Sequence, residues 1–203
     1  MRPRLHSDEE LLALILAAFA ELGFEGASMR EVCRRLGVSH NFVHERFGSK
    51  EQMWYAAVDH GFRGVIDELV AAFAEAGDDG FDQLRAVLVR FMAVTAAQPA
   101  LTQIVNQESA RPGPRYEYLW TWYIAPITEG GNQILRRLQA EGRVRPGPLA
   151  PVFFFLSRYG LGAMASYPGS LSRLGDVATP DQAMQLAIDV LIDGLRTPSG
   201  RRR

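Results

Sequence analysis

Ser28 to Gln52 reads SMREVCRRLGVSHNFVHERFGSKEQ, and it contains three helix starts. Ser28 stands three residues before Glu31, the spacing of a capping box, in which the hydroxyl accepts from a helical amide and the acid returns to the serine amide. The helix predicted from Met29 to Leu36 puts Met29, Val32, Cys33 and Leu36 on one face. Gly37 ends it, because the residue past a helix end commonly adopts a left-handed conformation that costs glycine nothing. Ser39 caps a second short helix, His40 to Phe47, which Gly48 ends. Ser49 and Gln52 form a further box at the head of a long helix.

Two short helices joined by a tight turn at Gly37-Val38 predict a helix-turn-helix, whose second helix enters the DNA major groove. Val43 and Phe47 are four apart and can point inward together. His40, Asn41, Phe42 and His44 are left outward, with groups able to meet base edges or a thymine methyl. Between residues 28 and 50 the cations are Arg30, Arg34, Arg35, Arg46 and Lys50, against Glu31 and Glu45. That local charge of +3 stands in a chain of net charge -1, so basic charge is concentrated where phosphates would lie.

Phe24-Glu25-Gly26-Ala27-Ser28, Leu36-Gly37-Val38-Ser39 and Phe47-Gly48-Ser49-Lys50-Glu51 resemble the amino-terminal domain of the TetR family of transcriptional regulators, over about residues 8 to 60. Beyond that the resemblance is one of layout. It implies a dimer that holds operator DNA and releases it when a small molecule enters the carboxy-terminal domain. It implies a phosphate contact for Lys50, the only lysine in the chain, at a helix start that itself attracts anions. Where many members carry a glycine this chain has Asn41, and where they carry a phosphate-contacting tyrosine it has His44. The expected DNA-contacting set is Ser28, Arg30, Ser39, His40, Asn41, Phe42, His44, Arg46 and Lys50.

Composition sets outer bounds. With 203 residues, 47% of them apolar and 22% charged, the chain can bury a real core in one or two domains. A single cysteine excludes an internal disulfide and suits a reducing compartment. No run of about 18 apolar residues is present and the start lacks a signal-peptide pattern, so a cytoplasmic protein with no membrane partner is expected. His40 and His44, four apart, are also a conceivable metal pair. No acidic ligand follows at the right spacing, so no metal and no other cofactor is expected. Cys33 reads as a small buried apolar residue rather than a sensor thiol.

Taken in order, Arg2 and Arg4 form either an arm that touches DNA or a plain tail. Ser7 and Glu10 box the first helix, with Leu12, Ile15, Leu16, Phe19 and Leu22 as its stripe and Gly23 as its end. The helix opened by Ser49 is expected to run from about 50 to 76 as a link, with Gly61 and Gly64 a bend and His60 beside it. An all-α chain follows: residues 1–52 as the helix-turn-helix DNA-binding domain, and residues 53–203 as a helical ligand-binding and dimerisation domain. Pro126 and Gly130-Gly131 are expected to interrupt the helix from Arg115 to Glu141. Leu149 to Ser166 and the helix capped by Thr179 at Pro180 are apolar on more than one face.

Ten aromatics crowd the middle helices. Core packing accounts for most, yet with polar neighbours they also match an apolar pocket with a few orienting groups. The expected effector-binding residues are Phe91, Asn106, Glu108, Trp120, Tyr123, Phe154 and Arg158. The last two long helices resemble the family's dimerisation pair, giving Phe153, Leu156, Met184, Ile188, Leu191 and Leu195 as the expected interface. The reading that follows is a ligand-responsive regulator, a repressor released from its operator by a small apolar or aromatic molecule. The competing reading is a helical carrier or enzyme without DNA binding. Against an enzyme stands the lack of a nucleophile–base pair, paired carboxylates or a phosphate loop in the sequence.

Overall fold

The computed structural model describes residues 7–171, 173–174 and 179–197. The arginines expected to form an arm or tail at Arg2, Arg4 and Arg201 to Arg203 lie outside them. Thirteen α-helices follow one another among the described residues: α1 Asp8–Gly26, α2 Met29–Leu36, α3 His40–Phe47, α4 Lys50–Phe62, α5 Val65–Glu75, α6 Gly80–Ala97, α7 Pro99–Ala110, α8 Pro114–Leu119, α9 Ala125–Ala140, α10 Leu149–Phe155, α11 Gly162–Ser166, α12 Pro168–Leu171 and α13 Pro180–Leu195. Two π-helical segments, Trp120–Ile124 and Leu156–Leu161, are spliced between α8 and α9 and between α10 and α11. The fold class is all-α, and the only extended pairing among the described residues is one isolated bridge between Val144 and Arg196.

The chain forms two compact units, Met1–Gly64 with Gln98–Leu119, and Val65–Ala97 with Trp120–Arg203. This division differs from one at residue 52. The expected link from 50 to 76 is two helices, because Gly64 takes φ 80° and stops the helical hydrogen-bond ladder between Phe62 and Val65. Gly61 does something else. A Cβ there would lie 2.9 Å from Leu16 Cδ2 and 3.2 Å from Leu101 Cδ1, so its missing side chain lets α1 and α7 close on α4.

In the first unit, Ser7 and Glu10 complete a capping box. Gly23 leaves helical geometry at φ 68°, as its position predicts, but one further turn carries α1 to Gly26. Ile15, Phe19, Val32, Val43, Met53, Trp54, Ala57 and Val58 are all buried to within 1% of their surface. These positions are the inward stripes of α1, α2, α3 and α4, so the helical period alone assembles this core. α7 adds Leu101 and Ile104, and the Gln107 amide donates to the Ala20 carbonyl at 2.7 Å.

The second unit is built around a cluster that includes Phe81, Leu84, Leu88, Met92, Ile134, Leu135, Leu138, Phe153, Leu161, Ile188, Leu191, Ile192 and Leu195. Asp79 starts α6 by accepting from the Phe81 and Asp82 amides. Pro126 and Gly130-Gly131 do not break α9. The wide π turn before Ala125 changes the hydrogen-bond register just where Pro126 has no amide to donate. Gly131 is helical and buried because the Phe153 ring takes its side: a Cβ there would meet Phe153 Cε1 at 3.1 Å. The turn expected at Tyr167-Pro168-Gly169 is instead the short helix α12. Thr179 caps α13 by accepting from the Gln182 amide, with Pro180 in the first turn.

Candidate nucleic-acid interface

α2 and α3 are held at their ends by side chains and glycine geometry. Ser28 Oγ accepts from the Glu31 amide and Ser39 Oγ from the Phe42 amide, each at 3.2 Å. Gly37 sits at φ 65°, and behind it the Val38 amide donates to the Cys33 carbonyl at 3.1 Å. That six-to-one closure fixes how sharply α3 departs from α2. Gly48, at φ 73°, closes α3 by donating to the His44 carbonyl at 2.8 Å. Ser49 Oγ then accepts from the Gln52 amide at 3.1 Å and α4 begins.

The second half of the expected box at Ser28 is not made. The Glu31 carboxylate is taken by Arg34, at 2.6 Å, and by Arg35, at 3.0 Å. A bidentate guanidinium outcompetes one neutral amide for a carboxylate. Hydrogen bonds from Arg34 and then Arg35 hold the Glu31 pKa down at about 2. Arg35 also binds Glu21 of α1 and lowers its pKa, so α1 and α2 are tied across their exposed edge.

Buried Val43 fixes the rotation of α3, with Phe47 half-buried behind it. His40, Asn41, Phe42 and His44 are exposed, and Phe42 keeps 42% of its surface. The His40 and His44 rings lie 6.3 Å apart at 16°, one helical turn apart on one face. Ser28, Arg30 and Ser39 are exposed as well, although the Ser28 and Ser39 hydroxyls are engaged as caps. Arg46 departs from expectation. Its guanidinium pairs with Asp8 at 2.8 Å, because the start of α1 brings an acid within reach. The local charge of +3 is therefore partly cancelled inside the fold. Among the described residues, Arg30 and Lys50 are the two cations of this stretch outside any ion pair. Cys33 is buried, and burial pushes its thiol pKa up, away from the thiolate that redox sensing needs.

The expected effector residues are divided. Phe91, Trp120, Tyr123, Phe154 and Arg158 belong to the second unit, whereas Asn106 and Glu108 lie on α7 in the first. Glu108 is buried and accepts from Arg115 Nε at 3.0 Å, so its carboxylate is occupied by an internal pair. Within the second unit Trp120 meets Phe154 edge-on at 5.9 Å, and Phe154 meets Phe155 edge-on at 5.4 Å. Phe155 stacks on Tyr159 at 5.5 Å, and the Arg158 guanidinium lies over the Tyr159 ring. An open groove of about 450 Å³ in this unit is lined by Gln139, Gly142, Val144, Pro146, Gly147 and Thr197, none of them in the expected set.

The expected dimer residues point mostly the other way. Phe153, Ile188, Leu191 and Leu195 are buried in the core of their own unit, and Met184 packs against it. Only Leu156, 49% exposed, lies outward. The strongest apolar stripe of an amphipathic helix marks the side facing its own domain. The exposed apolar residues of the same helices are Val152, Phe155, Tyr159, Leu186 and Val190.

Known proteins are similar in sequence over the first helices and in helical fold. The sequence profile described as bacterial regulatory proteins, tetR family, matches residues 11–57, the stretch from α1 into α4. The HTH-type transcriptional repressor KstR2 of Mycobacterium tuberculosis is 31% identical over 115 residues, 54% of this chain and 56% of the repressor. The chain thus spans about half the length of that relative. KstR2 of Rhodococcus jostii is 25% identical over 198 residues, 93% of this chain and 91% of that protein. A solved structure described as the ketosteroid transcriptional regulator KstR2 of Mycobacterium tuberculosis superposes with a TM-score of 0.70 at 22% identity, over 95% of this chain and 96% of that one. Residues 11–57 thus match the amino-terminal domain of the tetR family of bacterial regulatory proteins, and the helical fold that follows is similar to that of the solved KstR2.

Proposed function

We propose that the chain is a ligand-responsive transcriptional regulator, a repressor that reads operator DNA with α3. The observation that carries this reading is the α3 surface. Four adjacent residues with base-reading chemistry, His40, Asn41, Phe42 and His44, face solvent while Val43 anchors the helix from behind. A helix fixed at both ends and offering side-chain donors, acceptors and an apolar edge suits a major groove. Arg30 and Lys50 then flank it as phosphate contacts, and Arg46 joins them once its pair with Asp8 opens. The DNA-reading domain takes in α1 to α4, and the rest of the chain serves ligand binding and pairing of two copies.

Pairing uses the exposed apolar face of α10, the π segment after it and α13. Two copies would set two α3 helices about 34 to 36 Å apart, one turn of DNA. The effector is a small apolar, ring-containing molecule. The aromatic content around Trp120, Tyr123 and Phe154 supports this, as does the ketosteroid named for the related KstR2. The effector acts by favouring a state in which the two α3 helices no longer match successive grooves, through its difference in affinity for the two states. The protein does its work in the cytoplasm, without catalysis.

Selection of duplexes from a random library, followed by gel shift of the enriched sequence against salt, tests the reading. A regulator enriches a sequence with two-fold symmetry, and its affinity falls steeply as salt rises. A protein that retains no duplex at low salt is a carrier or enzyme instead.

A further inference from the structure

Phe24 lies in the extra turn of α1 behind Gly23, stacked at 5.9 Å and 11° on the buried Phe19. Two cations lie over its ring. The Lys50 ammonium is 4.3 Å from the centroid and the Arg115 guanidinium 3.7 Å. Arg115 comes from α8, far away in sequence but within the same compact unit. It is itself held: its Nε donates to buried Glu108 at 3.0 Å, and its Nη2 is 3.6 Å from Glu25. The ring is thus fixed by Phe19 and by an arginine that carboxylates hold in place. Among the described residues Lys50 has no carboxylate partner, and it stands in the first turn of α4, where the helix dipole disfavours a cation. The negative face of Phe24 is what offsets that repulsion.

We propose that Phe24, fixed by Arg115, is a positioning residue that holds the Lys50 ammonium in place for a DNA phosphate. The proposal rests on the DNA-binding reading above and assigns to α8 a part in DNA reading. A loose lysine gives up rotamer freedom when it meets a phosphate, and one already held over a ring gives up less.

Lys50 being the only lysine in the chain, lysine labelled with carbon-13 at the ε position gives one side-chain NMR signal, and no DNA is needed to read it. The ring current of Phe24 moves that signal upfield in the wild type and in Phe24→Tyr, and Phe24→Leu returns it to the open-chain position. On a duplex enriched from a random library by the wild type, Phe24→Leu weakens binding about two- to fivefold, the size of an exposed cation–π contact. Phe24→Tyr restores it, and in a Lys50→Gln background Phe24→Leu costs nothing further. Should Phe24→Leu fail to fold, the neutralised pair Arg115→Gln/Glu108→Gln frees the ring and carries the same expectation. An unshifted lysine signal in the wild type, or an equal loss from Phe24→Leu with and without Lys50, overturns the inference and leaves the regulator reading standing. A shifted signal in a protein that retains no duplex at low salt overturns the regulator reading, and with it the role given to this contact.

Discussion

His44 and Lys50 are six residues apart and sit in different physical settings, so their loss should be felt differently. His44 is exposed on the outer face of α3 beside His40, where the proposed reading puts base edges. Lys50 is half-buried at the start of α4, where the proposed reading puts a phosphate. His44→Ala is expected to change which duplexes are enriched from a random library. Lys50→Ala is expected to weaken all duplexes alike and to lower the salt slope of binding by about 1. Equal losses from His44→Ala on every sequence would remove it as a reader. Asn41 has the chemistry to pair in two places with adenine, a contact worth about 1–3 kcal/mol of discrimination, so Asn41→Ala should relax one position of the enriched sequence. At this scale the outward side chains of α3 were readable from the sequence, because one buried valine and the helical period decide the rest. The fate of Arg46 was not, since its partner Asp8 is 38 positions earlier and no local pattern announces it.

At the scale of the element, the first unit is held by an edge of ion pairs as well as by its core. Glu31 titrates at about 2 when folded, against an ordinary value of 4.5. A folded pKa below the unfolded one means that the pairs with Arg34 and Arg35 contribute in full above about pH 4.5. That contribution is lost as pH falls towards 2. Glu31→Gln should therefore lower helix stability at neutral pH and flatten the acid limb between those values. Thermal melts followed by circular dichroism across that range check it, and an acid limb identical to that of the wild type would contradict it. Gly64 offers a separate test. At φ 80° any side chain is strained by about 1–2 kcal/mol, so Gly64→Ala should lower the melting temperature by several degrees. Helix order and most boundaries were legible because caps and glycines are local signals. The two π segments were not, since they depend on how Pro126 is accommodated and on how α10 continues into α11 without a break. Gly131 was misjudged for the same reason. The pressure of Phe153 on it is a contact between helices, which the order of residues along one helix cannot reveal.

For the whole molecule, the proposed pairing of two copies depends on which apolar face the second unit leaves exposed. Amphipathic period identified a stripe on α13 correctly as buried, but buried against its own unit: Ile188 and Leu191 retain 2% and 8% of their surface within a single chain. A charge there must be desolvated among apolar neighbours, which costs the fold itself. Leu186 and Val190, one turn apart and each 64% exposed, lie on the opposite stripe with Ala183 and Gly194, whereas Ala187 packs against the core beside Ile188. Val152, Phe155, Leu156 and Tyr159 add an apolar surface of the same kind on α10 and the π segment after it. In a two-fold dimer each position meets its own symmetry-related neighbourhood, so one added charge is introduced twice across the same interface. Leu186→Asp or Val190→Asp should yield a folded monomer by analytical ultracentrifugation, with unchanged helicity and with affinity for a two-fold symmetric duplex lost. Ile188→Asp should instead melt the second unit. If Leu186→Asp and Val190→Asp both remain dimeric at low concentration, the paired face lies elsewhere and the exposed aromatics need another occupant. If Ile188→Asp folds and only dissociates, the assignment of the two stripes of α13 is reversed.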